Sequence, residues 1–129
     1  TKSLFQSQSK KYVQAFTKLE KKNKSDLIEV HNRPNYLHHL NDSLNKRTYV
    51  LFFHNDPLTM NGSKSIEDRK SLLNICYKIV FNSNWSRKRF LQGMHNKFIN
   101  SEKLLVIFQS AKQNKINFNK KKKLDNIRW

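Results

Sequence analysis

The sequence predicts a mainly α protein of short helices with extended basic loops and a basic tail, and with no large independent core. Three observations lead to this prediction. Only two Gly and two Pro occur in 129 residues, so tight turns should be few. Hydrophobic residues make up 36% of the chain, which is below the usual range for an independent globule. The formal net charge of +17 would make a compact free domain repel itself, so a polyanionic partner is expected.

Two helices are predicted in the first half of the chain. Residues 10–23 should form a basic helix with one apolar face, made of Tyr12, Val13, Phe16 and Leu19. Residues 24–35 are predicted to be a connector, because the proline in Arg33-Pro34 disfavours a continuous helix. A second helix is predicted over 35–53, although its end, Tyr49–Phe53, fits a short strand equally well.

Two further helices are predicted in the second half. Ser65 can cap a helix whose first turn holds Glu67 and Asp68. The apolar stripe of this helix would be Leu72, Leu73, Cys76, Ile79 and Val80, and the Asn82-Ser83-Asn84 stretch would end it. A last helix is predicted to begin near Ser101, with a buried face of Leu104, Leu105, Phe108 and Ala111. After Asn114 the chain is predicted to be a tail.

Positive charge is densest in the last third of the sequence. Residues 81–129 hold twelve basic and two acidic side chains. Lysine and arginine bind phosphate oxygens, and aromatic rings can stack on unpaired bases. The predicted RNA-binding residues are Arg69, Lys78, Arg87, Lys88, Arg89, Lys97, Lys120, Lys121, Lys122, Lys123 and Arg128. The predicted anchoring aromatics are Trp85, Phe98 and Trp129.

Other kinds of site find little support in the sequence. The single cysteine, Cys76, excludes a disulfide framework and a cysteine-rich zinc site. No His or Cys pair has metal-ligand spacing, and Gly62 and Gly93 are too isolated to form a phosphate-cradling loop. No apolar run approaches the roughly 18 residues of a membrane span. We therefore expect no enzymatic activity, no cofactor, no metal, no membrane span and no small-molecule substrate.

From Lys46 onward the chain resembles the bacterial-type, organellar form of small-subunit ribosomal protein fourteen. The resemblance is carried by Asn82-Ser-Asn-Trp-Ser-Arg-Lys-Arg89, Leu91-Gln-Gly93, Lys97-Phe98 and the terminal Trp129. Phe90 stands near the position of a family cysteine, which excludes the zinc-binding variant, and residues 59–64 look inserted. Residues 61–65, 101–104 and 127–129 are instead similar to small-subunit ribosomal protein seven, but that match requires a missing middle region.

Both resemblances imply a structural constituent of the head of the small ribosomal subunit, which binds rRNA and neighbouring ribosomal proteins. The abundance of Asn, Lys, Ile and Phe suggests an AT-rich gene, which fits an organellar or a protist genome. With the resemblance to the organellar family, we expect a mitochondrial ribosome in the matrix. Residues 1–45 are interpreted as a lineage-specific basic extension and 46–129 as the rRNA-binding region. The alternative is a free basic module that binds nucleic acid or an anionic membrane surface.

Overall fold

The computed structural model describes residues 8–44 and 46–108, in which four helices alternate with four strands. Helices α1 to α4 are Gln8–Lys22, Pro34–Ser43, Ile66–Ile75 and Asn84–Leu91. Strands β1 to β4 are Ile28–His31, Tyr49–Phe53, Lys78–Phe81 and Leu104–Val106. Two short 3₁₀ turns, Pro57–Thr59 and Asn96–Phe98, lie in the connections.

The four strands form one parallel sheet in the order β1-β2-β3-β4. Each strand is joined to the next by a connection that contains a helix. Such connections are almost always right-handed, so a sheet that grows in one direction carries its crossover helices on one face. Because all four strands are parallel, their carboxyl ends lie at the same edge of the sheet.

The core lies between the sheet and the four helices. Side chains alternate between the two faces of a strand, and the core-facing positions are Ile28, Val30, Tyr49, Leu51, Phe53, Ile79, Phe81 and Leu104. Every helix adds apolar residues to the same cluster: Val13, Leu37, Leu40, Leu44, Leu72, Leu73 and Phe90. Phe53, Phe81 and Phe90 pack against one another at its centre, with ring centroids 5.5 to 5.7 Å apart.

The prediction of a mainly α protein without a large core is therefore wrong. The apolar runs are too short for periodicity to separate helix from strand. The stripe that begins at Leu72 is divided at Cys76, whose extended backbone ends α3, so that Ile79 and Val80 belong to β3. The predicted connector 24–35 contains β1, and the helix expected from Ser101 is replaced by β4.

The scarcity of glycine misled the prediction because other residues make the tight turns. Asn32, directly after β1, has a φ of 54°, and Lys46, before β2, has a φ of 50°. Asparagine tolerates this left-handed conformation better than most residues. An asparagine-rich chain can therefore turn without glycine.

Other predicted elements are confirmed. The first helix is α1, and Tyr49–Phe53 forms a strand, one of the two options left open. Ser65 caps α3, because its Oγ accepts a hydrogen bond of 3.0 Å from the Asp68 amide. The sequence suggested a division at position 45 between an extension and an rRNA-binding region. Strand β1 precedes this position and pairs with β2, which follows it, in the same sheet.

We expect Gly62→Ala to lower the free energy of unfolding by about 2 kcal/mol or more. Gly62 has a φ of 98°, and a Cβ there would lie 2.5 Å from the backbone nitrogen of Asn35. Gly93→Ala is the control, because its φ is also positive but the nearest atom is the end of the Ile66 side chain, at 3.0 Å. Urea unfolding of both variants would contradict this account if Gly62→Ala were the milder of the two.

Candidate ligand site at the carboxyl edge of the sheet

A polar residue directly follows each of the first three strands. Asn32 follows β1, His54 follows β2 and Asn82 follows β3. Because these strands are parallel neighbours, the three residues meet at one edge. In open α/β sheets ligands bind outside the carboxyl ends of the strands, at the point where the strand order reverses. This sheet runs in sequential order, so it has the carboxyl edge but not such a reversal.

Hydrogen bonds hold the three residues together. The Asn32 Oδ1 accepts from the backbone N–H of His54 at 2.7 Å and from that of Asn55 at 3.3 Å. The Asn82 Nδ2 donates to the backbone carbonyl of His54 at 3.0 Å. The backbone of His54 is thus fixed from both sides by asparagine side chains of the neighbouring connections.

These bonds use one polar atom of each side-chain amide, the Oδ1 of Asn32 and the Nδ2 of Asn82, and leave the other atom available. The Nδ2 of Asn32 and the Oδ1 of Asn82 make no hydrogen bond with the residues that the structure describes. The amide orientations follow from their partners, since N–H groups require the oxygen of Asn32 and a carbonyl requires the nitrogen of Asn82. The edge therefore presents one fixed donor and one fixed acceptor.

A pair of imidazole rings lies beside these amides. His31 Nδ1 and His54 Nε2 are 2.9 Å apart, and the two rings stack at 5.2 Å between centroids. Glu29 Oε2 lies 3.4 Å from His31 Nε2, and Phe52 stacks on the His31 ring at 4.4 Å. A carboxylate only accepts hydrogen bonds, so it favours the proton of His31 on Nε2, and His54 then donates to His31.

A groove of about 280 Å³ opens next to Asn32, at the start of α2. Its lining residues are Asn32, Arg33, Pro34, Asn35, Met60 and Asn61. The loop that carries Met60 and Asn61 is held in place because His38 Nε2 donates to the Gly62 carbonyl at 2.9 Å. The groove offers side-chain amides and the exposed Arg33 to a bound molecule.

An ion pair ties the connection between β2 and β3 to α4. Arg89 donates from Nη2 and Nε to the two carboxylate oxygens of Asp56, at 2.9 and 3.2 Å. The bonds from Arg89, together with one from the Leu58 amide, lower the pKa of Asp56 despite partial burial. The guanidinium also lies 5.5 Å from the centre of the Trp85 ring.

The predicted RNA-binding residue Arg69 is 3% exposed and lies inside the fold. Its guanidinium donates to the carbonyls of Phe90, Gln92 and Ser65 at 2.6 to 3.2 Å. Burial lowers the pKa of this group from its usual value. These bonds join α3 to the end of α4, so the charge serves the packing of the two helices.

Most of the other residues that were predicted to bind RNA lie apart from one another in the structure. Lys78 Nζ donates to the Glu102 carbonyl at 2.8 Å, and Arg87 donates to the Ile99 carbonyl. Lys88 and Lys97 are exposed on α4 and on the following 3₁₀ turn. Trp85 is 59% exposed, and Phe98 is partly buried against the core. Lys120, Lys121, Lys122, Lys123, Arg128 and Trp129 lie outside the described residues.

The sequence analysis missed Asn32, His31, His54 and Asn82 as candidate site residues. Their signal is a polar residue directly after an apolar run of β type, which occurs three times. The signal has meaning only once the runs are recognised as neighbouring parallel strands. The histidines were examined for metal-ligand spacing and not for position at a strand end.

The described residues offer little for metal or thiol chemistry. Among residues 8–44 and 46–108, no three His, Cys, Asp or Glu side chains are grouped so that they could hold a metal ion. Cys76 is buried beneath α3, and desolvation raises the pKa of its thiol to about 12. Within the same residues, no helix is both long and apolar enough to cross a membrane.

Comparisons with known proteins add no relative. The chain matches no protein family, and neither the curated proteins nor the solved structures contain a match. The fold and the candidate site must therefore be interpreted from their own geometry.

We expect Asp56→Asn to lower the urea midpoint of unfolding at pH 7, because it removes the charge that pairs with Arg89. A lowered pKa in the folded state means that the ionised carboxylate stabilises the protein above the usual pKa of aspartate. This contribution disappears as the pH falls through the lowered pKa. The two midpoints should therefore converge once the pH falls below this lowered pKa. A gap that persists undiminished in acid would contradict this role of the ion pair.

Proposed function

We propose that this chain binds a small polar molecule through its hydroxyl groups at the carboxyl edge of the sheet. The observation that carries the proposal is the pair of half-occupied amides, Asn32 and Asn82, fixed on either side of His54. A hydroxyl group both donates and accepts, so one hydroxyl of a ligand can accept from the Asn32 Nδ2 while another donates to the Asn82 Oδ1. Strand β2 separates β1 from β3, so the two hydroxyls belong to different parts of a ligand that spans three strand ends. The proposal departs from the expectation that the chain takes no small-molecule substrate.

The groove beside Asn32 supports the proposal. Its volume of about 280 Å³ is close to the lower end of the range for ligand pockets, roughly 300 Å³. Asn35 and Asn61 offer further donors and acceptors, and Arg33 adds a positive charge for a phosphate or carboxylate. A sugar, or the ribose and phosphate of a nucleotide, has the chemistry that these groups match.

A second candidate function is the one that the sequence indicates, a structural protein that binds rRNA in the small subunit of a mitochondrial ribosome. The observation that favours it is the outward face of α1. Lys11, Lys18, Lys21 and Lys22 are exposed there, and the one acid of the helix, Glu20, is turned inward. Lys11, Lys18 and Lys21 line a shallow groove of about 490 Å³ along the helix.

Glu20 does not neutralise these lysines. Burial raises its pKa, but hydrogen bonds from Ser25 and Arg47 outweigh that effect and lower the pKa overall. The carboxylate is thus charged and compensated inside the fold. The exposed surface of α1 carries mainly lysine, glutamine and alanine, with Leu19 and Tyr12 as its exposed large apolar side chains. A helix that inserts into a membrane surface needs a continuous apolar face, which these two residues do not form. Phosphate binding fits this face better than lipid insertion.

The first proposal is tested by titrating the uniformly ¹⁵N-labelled chain with glucose, adenosine and adenosine diphosphate. At least one probe should shift the amide signals of residues 32–35, 54–56 and 82–84. Asn35→Ala and Asn61→Ala should each weaken binding about three- to tenfold, the effect of one neutral hydrogen bond. Asn23→Ala, at the exposed end of α1, is the matched control. Shifts confined to other regions, or none with any probe, would refute the proposal.

The second candidate is tested by fluorescence anisotropy with a labelled single-stranded RNA at several KCl concentrations. Lys11→Gln with Lys18→Gln should reduce the salt slope of log K by roughly 1.4, at about 0.7 per lost phosphate contact. Lys46→Gln with Lys64→Gln removes the same charge elsewhere and should change the slope less. An equal effect of both pairs would assign the binding to net charge and not to α1. A ribosomal role also requires the chain to sediment with small subunits through a high-salt wash.

A further inference from the structure

A third groove lies between α3 and the 3₁₀ turn Asn96–Phe98 and is called the α3 groove. It has a volume of about 480 Å³ and is lined by Lys70, Leu73, Asn74, His95, Lys97 and Phe98. The carboxyl end of α3 leads into the amino end of β3, so this groove lies away from the carboxyl edge. It is therefore separate from the site of the proposed function.

The α3 groove combines positive charge with a fixed aromatic ring. Lys70 and Lys97 are exposed, whereas Phe98 is partly buried and packs against the core, which holds its ring in position. The ammonium of Lys97 lies over the Phe98 ring, 5.2 Å from its centre, so a base stacks on this face only when the exposed lysine side chain swings away toward the phosphate. A cation beside an aromatic surface is the arrangement with which proteins hold a phosphate and its base together.

Two polar groups complete the lining. His95 Nδ1 accepts a hydrogen bond of 3.0 Å from the Lys97 amide, so the neutral ring carries its proton on Nε2. Asn74 is exposed on α3 and offers both a donor and an acceptor. The Leu73 carbonyl is occupied by Lys103 Nζ at 2.6 Å, which fixes the end of α3. These groups can bind the edge of a base.

The local charge is favourable for an anion. The two acids of α3, Glu67 and Asp68, lie in its first turn, whereas the groove follows its later turns. Lys103 lies on the same side and is used to hold the helix end. A phosphate in the groove would meet lysines and no carboxylate among the lining residues.

We propose that the α3 groove binds one nucleotide unit, with the base against Phe98 and the phosphate between Lys70 and Lys97. The volume lies within the range of small-molecule sites, roughly 300 to 1,000 Å³. The unit belongs either to a single-stranded RNA or to a free mononucleotide, which share this chemistry. The RNA source rests on the second candidate function, and the mononucleotide source does not.

The experiment uses the full chain with three probes: a ten-nucleotide single-stranded RNA, adenosine monophosphate and adenosine. Binding is measured by anisotropy for the RNA and by ¹⁵N chemical shifts for the small probes. The signals of residues 70–74 and 95–98 should shift with the RNA or the monophosphate, and less with adenosine, which has no phosphate. Binding of the monophosphate alone would identify a free nucleotide as the ligand.

Two variants separate the contributions of the groove. Phe98→Leu keeps an apolar side chain against the core and should weaken binding roughly tenfold, the loss of one stacked base. Lys70→Gln with Lys97→Gln should also weaken binding, because two phosphate contacts are lost. The difference in affinity between this variant and the wild type should grow as the salt concentration is lowered. The controls are Tyr77→Leu and Lys64→Gln, which remove an exposed aromatic ring and an exposed lysine outside the groove.

Each outcome decides the inference. If RNA binds and the groove variants match the wild type, the groove is not the site, although the nucleic-acid candidate remains. If neither RNA nor monophosphate shifts residues 70–74 and 95–98, the inference fails. If Phe98→Leu does not fold, the surface variant Lys70→Gln with Lys97→Gln gives the answer, because neither lysine is buried.

Discussion

Parallel pairing of the four strands is the constraint on which the rest of the structure depends. A parallel strand can be reached only by a crossover, and sequential order with one handedness brings the three crossover helices, α2, α3 and α4, to the same face. That face receives the apolar side chains of alternate strand positions and becomes the core. The same constraint brings Asn32, His54 and Asn82 together, although they are more than 20 residues apart along the chain.

The sequence predicts those elements whose signals are local. Helix α1 is long enough to show its apolar face, and Ser65 with two acids marks the start of α3 without reference to the rest of the fold. Strands of three to five residues are too short to show a periodic apolar pattern, and their pairing joins residues that are far apart in the sequence. The candidate site depends on that pairing, so its residues could be listed from the sequence but not brought together.

Charge is a poor guide to the surface of this protein. Arg69 and Arg89 are among the residues that the sequence analysis predicts to contact phosphate. In the fold, Arg69 binds three backbone carbonyls and Arg89 binds a carboxylate. Arginine suits such sites because its planar group donates in several directions at once. Lys11, Lys18 and Lys21 on α1 and Lys70 in the α3 groove are exposed and are better candidates for external phosphate.

The stretch from Asn82 to Arg89, which most resembles a ribosomal protein, has a simple physical role here. Asn82 ends β3 and pins His54, and Ser83 caps α4 by accepting from the Ser86 amide at 3.1 Å. Ser86 is buried, and Arg89 reaches Asp56 from the next turn. A strand–turn–helix junction selects asparagine and serine, and the helix selects basic residues toward its carboxyl end. Residues of these types can therefore recur in unrelated folds, so the resemblance needs support from binding and not from composition.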